Sequence, residues 1–543
     1  MMMRSTRRLM HGLRRAHHGD SGIVLIQVIA FSLVLAMITF ALVNLSISEY
    51  ATANSADQGM RAFYIADAAV ERAITVLRAD SNWNDGTGAD KNANNTSWQP
   101  LYDAYQAGGA GNSVNQTYPA AGGSGSGTYS VYIKRVAPGS PYNAADTIWI
   151  RTLGTAGTAT RAIEVLLHRL TPLDFSVYSA QTFQVSNGGG NVTLHGSAYF
   201  YQDLGLKAVQ TGIYNDRQIQ LTDLPPYTNQ LYVKGTLDMS TGNSSLGTLS
   251  QPMYGVHAGR LNLKSNGTQN LHTLELDNIV PSIPYPNVAG YITSVLTNQS
   301  YGNLLAVGQL TMAICTNTGG VWTQSYTAGL TLGATEFTIP TKSYTICDNT
   351  AANSANYMAH WNPSATVPLT LNSTYQNSPI LIPGAVVMNQ TVTYSGVGTF
   401  VVETLGGGTG VAINAGQILS SSPASNSSGT NPCGYANPSS MPQSDLIAFI
   451  VAGNVVLTGS GNTCSQENDV VIIAGATGTS TFTSTNKVNM YGVVITEQLN
   501  TTQNPDFYQI PSILQYMPGP VQMVATFNTT MPVVVWQWRE LAN

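Results

Sequence analysis

The stretch HHGDSGIVLIQVIAFSLVLAMITFALVNLSISEY, residues 17–50, decides the architecture of this chain. From Ile23 to Val43 it is apolar almost throughout and carries no charge, Gly or Pro. About 21 residues at ~1.5 Å each reach across the ~30 Å hydrocarbon core of a bilayer. Arg4, Arg7, Arg8, Arg14 and Arg15 precede the run, and no acidic residue appears before Asp20. The excess of positive charge on that side places the N-terminus in the cytoplasm and everything after about residue 45 outside. A secretory signal has a shorter apolar core followed by a small-residue cleavage site. Here the run passes directly into more helix. Hydropathy alone fits an ordinary single-pass anchor equally well.

Residues 46–79, SISEYATANSADQGMRAFYIADAAVERAITVLRA, contain no Pro and a single Gly. Phe63, Ala66, Val70, Ala73 and Leu77 recur at helical spacing and mark one buried stripe. The two halves predict a single helix of more than about 50 residues, apolar first and amphipathic second.

At the junction, His18-Gly19-Asp20-Ser21-Gly22-Ile23-Val24-Leu25-Ile26-Gln27 sets a Gly between a basic leader and an apolar helix. This resembles the cleavage region of type IV prepilins. The resemblance implies that a prepilin peptidase cuts after Gly22 and that Ile23 becomes the N-methylated mature terminus. Most members of the family carry Glu at the fifth mature position, where this chain has Gln27. In a pilus core that Glu neutralises the buried amine of a neighbouring subunit, because an unpaired buried charge is costly. A neutral Gln suits a tip subunit with no partner above it, or is a tolerated polar residue. The segment Ala62-Phe63-Tyr64-Ile65-Ala66-Asp67-Ala68-Ala69-Val70-Glu71-Arg72-Ala73 resembles the helix of PilX-like minor pilins, with Asp67 where they often have Glu.

The rest of the chain has a different character. At 543 residues two or more structural units are expected, and charged residues make up only 9% against the roughly 25% of ordinary domains. Gly, Ser, Thr, Asn and Tyr fill the space, which suits short strands and tight turns. From residue 171 onward about 8 basic residues face about 16 acidic ones, a balance that disfavours a broad grip on nucleic acid. The cysteines fall at Cys315, Cys347, Cys433 and Cys464. The shortest loops come from pairing Cys315 with Cys347 and Cys433 with Cys464, though other connectivities exist. An extracytoplasmic location favours disulfides over zinc, which would want closer ligand pairs.

Residues 80–127 are polar and are expected to form a long exposed connection. Asp80–Gly86 half resembles a calcium loop but lacks the right Gly and the closing Glu. Strands are predicted over Tyr129–Val136, Thr147–Leu153 and Thr160–Leu170, forming a small antiparallel sheet that covers the amphipathic helix. Residues 533–541, VVVWQWREL, are expected to return to that sheet, which makes 172–518 an insertion. The insertion shows short apolar triplets between turns and no helical pattern. Gly190–Gly196 and Gly453–Gly459 match closely, and Val455–Leu457, Val471–Ile473 and Val488–Met490 recur roughly 16 to 17 residues apart. Such spacing fits rungs of a β-solenoid, with a β-sandwich as the alternative. The order of parts resembles pilins of the ComZ kind, in which a β-solenoid is inserted into a pilin module; Tyr508-Gln509-Ile510-Pro511 adds local resemblance.

The expected fold is therefore α+β. Its parts are a leader (1–22), a membrane or filament-core helix (23–45), a pilin helix continuation with loop and sheet (46–171), an inserted all-β head (172–518) and C-terminal strands (519–543). Motifs for hydrolysis, nucleotide binding or zinc proteolysis are missing. His168, His195, His257, His272 and His360 are scattered, and Asp203, Asp216, Glu467 and Asp469 suggest no carboxylate pair. No enzyme activity, cofactor or metal is expected. Tyr199, Phe200 and Tyr201 form either a strand-packing group or a contact surface, and Arg217, Lys234, Arg260 and Lys264 a candidate basic patch. The resemblance implies a minor pilus subunit that moves from the inner membrane to the cell surface. It would assist pilus assembly, adhesion or DNA uptake, with other pilins and the assembly machinery as partners and an outside target (surface, glycan or DNA) left open. A secretion-system pseudopilin and a membrane-anchored β-helix enzyme acting on polysaccharide are the alternatives.

Overall fold

The computed structural model describes residues 21–79, 83, 97–103, 111–112, 116–118, 126–136, 147–185, 193–206, 212–214, 230–240, 245–247, 249, 252–263, 270–298, 312–318, 321–325, 330–332, 335–337, 358–361, 369–371, 379–383, 386–388, 391–403, 409–414, 417–421, 444–458, 467–475, 481–485, 488–501, 505–510, 513, 516–526 and 531–541. A single helix, α1 (Ser21–Arg78, 58 residues), runs through both the apolar and the amphipathic halves. Its second half buries Ala62, Ile65, Ala66, Ala69, Val70, Ala73, Ile74 and Leu77, so the expected stripe is real and wider than expected. Trp83 ends the helix. Its indole N–H donates to the Leu77 carbonyl at 2.9 Å and so satisfies one of the orphan acceptors at a helix C-terminus. That Trp is buried, as is Leu101, and the connection after the helix includes the short strand Gln99–Pro100, so 80–127 is not wholly an exposed tether.

The sheet under α1 is antiparallel. Its main strands are β1 (Gly127–Arg135), β2 (Thr147–Ala156) and β3 (Ala159–Arg169), joined by consecutive pairing. Val131, Ile133, Ile148, Ile150, Ile163, Val165 and Leu167 pack with the helix stripe into one core. The C-terminal strand β14 (Val533–Leu541) adds to β3 in antiparallel register, from Val533 opposite Arg169 to Leu541 opposite Ala162.

Between β3 and β14 most strand pairs are parallel. The chain leaves β3 and enters β4 (Val177–Ser179), which is flanked on one side by β5 (Ala198–Phe200) and on the other by β12 (Asn489–Thr496). From β4 the chain winds outward through β5, β6 (Gln230–Met239), β7 (Met253–Leu263) and β8 (Thr273–Asp277), each in parallel register with the one before. On the other side β9 (Val397–Glu403), β10 (Leu446–Val451), β11 (Glu467–Ala474) and β12 approach β4 the same way. A later strand, β13 (Asp506–Tyr508), lies between β12 and Thr193–His195. The head is thus entered and left near its middle, and two wings extend from there.

Three expectations are corrected. Val455 belongs to Asn454–Thr458 in a separate five-stranded parallel sheet, whereas Val471 lies in β11 beside β12. The apparent spacing counted strands of two faces as successive rungs; the true vertical neighbours are Ile447, Val470 and Gly492. The head also holds a helix, α2 (Val288–Asn298), and a second, α3 (Gly519–Thr526), precedes β14. Both are short and uncharged, so they lack the polar face that makes a helix legible.

Candidate functional site

Two surfaces bear on function, and the first is the leading half of α1. None of its apolar stretch is buried inside the molecule. Ile23, Leu25, Phe31, Leu35, Phe40 and Leu42 all stand exposed, so this half needs a lipid or protein environment. The Thr39 hydroxyl is accommodated within the helix, where Oγ1 donates to the Leu35 carbonyl at 2.8 Å. Gly22 and Ile23 lie in the first turn of the helix and Gln27 is exposed one turn on. The helix is long and apolar enough to cross a membrane.

The second half of the helix is tied to the sheet from Gln58 onward. Gln58 Oε1 accepts from the Thr158 amide at 3.2 Å and from its hydroxyl at 3.1 Å, at the turn joining β2 to β3. On the outer face of the sheet, Glu164 accepts from Arg151 Nε at 2.7 Å and from Arg539 Nε at 2.9 Å, tying β2 and β14 to β3. Burial alone would raise its carboxyl, but the hydrogen bonds from Arg539 and Arg151 prevail and hold it below its ordinary value.

A polar neck joins sheet to head. His168 Nε2 meets Asp174 Oδ1 at 2.7 Å, and Trp536 of β14 stacks on the imidazole at 3.8 Å. Asp174 Oδ2 accepts from the Thr171 amide at 2.6 Å. Gln509 donates to the Asp174 carbonyl at 2.8 Å and accepts from the Ser197 amide at 2.7 Å, so the Tyr508-Gln509 segment ties the exit of the head to its entrance.

The second surface is on the head. Tyr199 and Phe200 do not form part of it: both are fully buried, so of the two readings of this group strand packing holds for them and a contact surface does not. Successive residues of a strand face opposite ways. Phe200 points into the core beside Phe183. Tyr199 stands in an outward column with Tyr178, at 5.0 Å, Tyr232 and then His257. That column is roofed by a strap, residues 278–287. Tyr178 OH donates to the Ile283 carbonyl and Tyr199 OH to the Pro281 carbonyl, both at 2.8 Å. Burial pushes the Tyr199 phenol up to about 12, so it remains a donor through the neutral range. The run Tyr199-Phe200-Tyr201 was visible in the sequence; the column it joins and the strap that covers it were not.

Tyr201 is half-buried and lies under Lys234, whose Nζ is 4.0 Å from the ring centre. Lys234 also donates to Ser282 Oγ at 2.7 Å, and hydrogen bonds from Lys234 and Ser282 hold the Tyr201 phenol below its usual value. Arg260 is exposed and sits opposite Thr236 on the neighbouring strand. Lys234 is thus engaged in fastening the strap. Arg217 and Lys264, the other members of the candidate patch, lie outside the described residues, as do Cys347, Cys433, Cys464 and most of the Asp80–Gly86 loop. Cys315 is described only by its backbone pairing with Gln324 and Met358. Asp203 accepts from the Thr236 amide at 2.6 Å and Asp469 from the Ser420 amide at 3.0 Å, so both carboxylates brace the backbone of neighbouring strands.

No protein-family model matches the chain, and no curated protein matches it. Among solved structures it is similar to the competence-associated pilin ComZ from Thermus thermophilus, at 14% identity and a TM-score of 0.35, over 89% of this chain and 97% of that one. The likeness is too slight to assign a family.

Proposed function

We propose that this chain is a minor subunit of a type IV pilus. Its N-terminal helix rests in the inner membrane with the Arg-rich end in the cytoplasm, is processed after Gly22, and then packs into the filament. The observation that carries this reading is α1: one continuous helix, bare and apolar over its first half, bound to an antiparallel sheet over its second. An ordinary anchor has no need to continue as a rigid core element. The Gly22–Ile23 junction and the PilX-like segment at Ala62–Ala73 add to it.

The domain plan follows: leader, filament-core helix, helix continuation with sheet, an inserted β-solenoid from about 172 to 518, and a tail that completes the sheet. The parallel, in-register ladders on both sides of β4 support a solenoid over a sandwich, whose sheets are antiparallel. In this proposal the head is non-enzymatic, stapled by Cys315–Cys347 and Cys433–Cys464, and serves adhesion, pilus assembly or DNA uptake. Gln27 in place of a charge fits a position at the tip.

The test is the N-terminal mass of native protein, with and without Gly22→Ala. A mature start at methylated Ile23, lost in the variant, is the expected outcome. An intact Arg-rich leader on native protein would reduce α1 to a plain anchor.

A further inference from the structure

Among the described residues the outward-winding wing ends at β8, whose leucines stand exposed. Thr273-Leu274-Glu275-Leu276-Asp277 alternates leucines with acids. Register fixes where each side points. Leu276 lies opposite Val256, Val256 opposite Leu231, and Leu231 opposite Ala198, a column buried at every level but the last. Leu276 is 51% exposed and Leu274 69%, and Ile279 just beyond the strand is 74% exposed. Glu275 and Asp277 stand on the other side, both exposed, with Asp277 Oδ1 also holding His257 Nδ1 at 2.7 Å. Among the described residues β8 has a register partner on one flank, β7.

Stacked repeats ordinarily end in a unit with a polar outer face, because an unfinished rung leaves core residues in water. An open strand edge also offers a row of backbone donors and acceptors to any strand that fits. We propose that β8 takes up an extended segment of a partner protein as the next rung, one that alternates apolar residues with Lys or Arg. The apolar residues would complete the columns ending at Leu274 and Leu276, and the cations would lie beside Glu275 and Asp277. A second copy of this chain is the wrong occupant. Two β8 edges would set acids against acids, and like charges directly opposite destabilise a strand pair. The inference does not depend on the pilus reading, since the edge is the same whatever α1 is anchored in.

The test uses the full chain in detergent micelles and follows hydrogen exchange at the Thr273–Asp277 amides. Two short synthetic peptides serve as probes, one alternating Val and Lys, the other Val and Glu. The Val–Lys peptide should slow exchange along β8 while the Val–Glu peptide leaves it unchanged. Glu275→Lys should weaken the first by about tenfold and admit the second, since one cross-strand pair turns from attraction to repulsion. Leu276→Gln should also abolish the protection, with unchanged exchange at Val177 showing that the head still folds. The proposal fails if neither peptide alters exchange, which would make the acids only a guard against edge pairing. It also fails if both peptides act alike, or if protection follows the concentration of the chain itself.

Discussion

At Glu164 one carboxylate answers two arginines from different strands, and the fastening of β14 depends on it. Its side chain is only 2% exposed, while Arg539 is 59% exposed and well screened. Glu164→Gln would leave two cations facing each other over a neutral amide. Breaking a fully buried pair costs about 3–5 kcal/mol, but exposed partners are worth far less, so a loss of about 2 kcal/mol is expected in thermal melts. The folded carboxyl is held below its ordinary 4.5, so its contribution is present above that pH and is lost as pH falls through the lower folded value. Melting temperature should therefore drop more steeply with acid in the native chain than in Glu164→Gln. Parallel acid profiles would show that the carboxylate is idle. The shared sheet was legible beforehand, but the cluster was not: Arg539 lies 375 positions from Glu164, and only the register of β2, β3 and β14 brings the three side chains together.

The helix and the small sheet were legible for a physical reason. A stripe at helical period and alternation at strand period are local signals, and each recurs often enough to survive noise. What stayed hidden is how closely the two elements approach. Gly154 of β2 lies against the helix so tightly that a Cβ there would run into the carbonyl of Ala62 and the amide of Ala66. Neither atom can yield without moving α1. Gly154→Ala should cost about 1–3 kcal/mol as overpacking, read from denaturant midpoints. Gly59 makes the contrast, since a Cβ there meets Arg161 Nη2 at 3.4 Å, an ordinary contact. Gly59→Ala should stabilise α1 by up to about 1 kcal/mol through helix propensity alone. Equal effects at the two glycines would contradict the described packing. The strap and α2 escaped the sequence because Pro-rich extended chain and a short uncharged helix both look like loop.

For the molecule as a whole, the order of parts was legible and the arrangement of the head was not. Parallel pairing joins strands that are remote in sequence and leaves no turn signal between them, so nothing local announces that β4 sits between β5 and β12. The Val494 amide bonds the Ser176 carbonyl at 2.9 Å, and Ser197 and Gln509, 312 positions apart, share a hydrogen bond. A chain ended after Gly475 would leave β4 without its β12 neighbour. Such a truncation is expected to lose the cooperative melt of the head and to aggregate, as followed by light scattering; a sharp transition would show that the first wing stands alone. Contacts of this span are slow to form, because distant segments must be brought together before any bond rewards them. The strands that finish the middle of the head are also synthesised after the rest of both wings. Until β12 arrives, β4 offers a bare flank to proteases and to other nascent chains. A polypeptide interrupted between β5 and β12 is therefore expected to carry an unfinished centre and to be cut more readily by proteases than the whole chain.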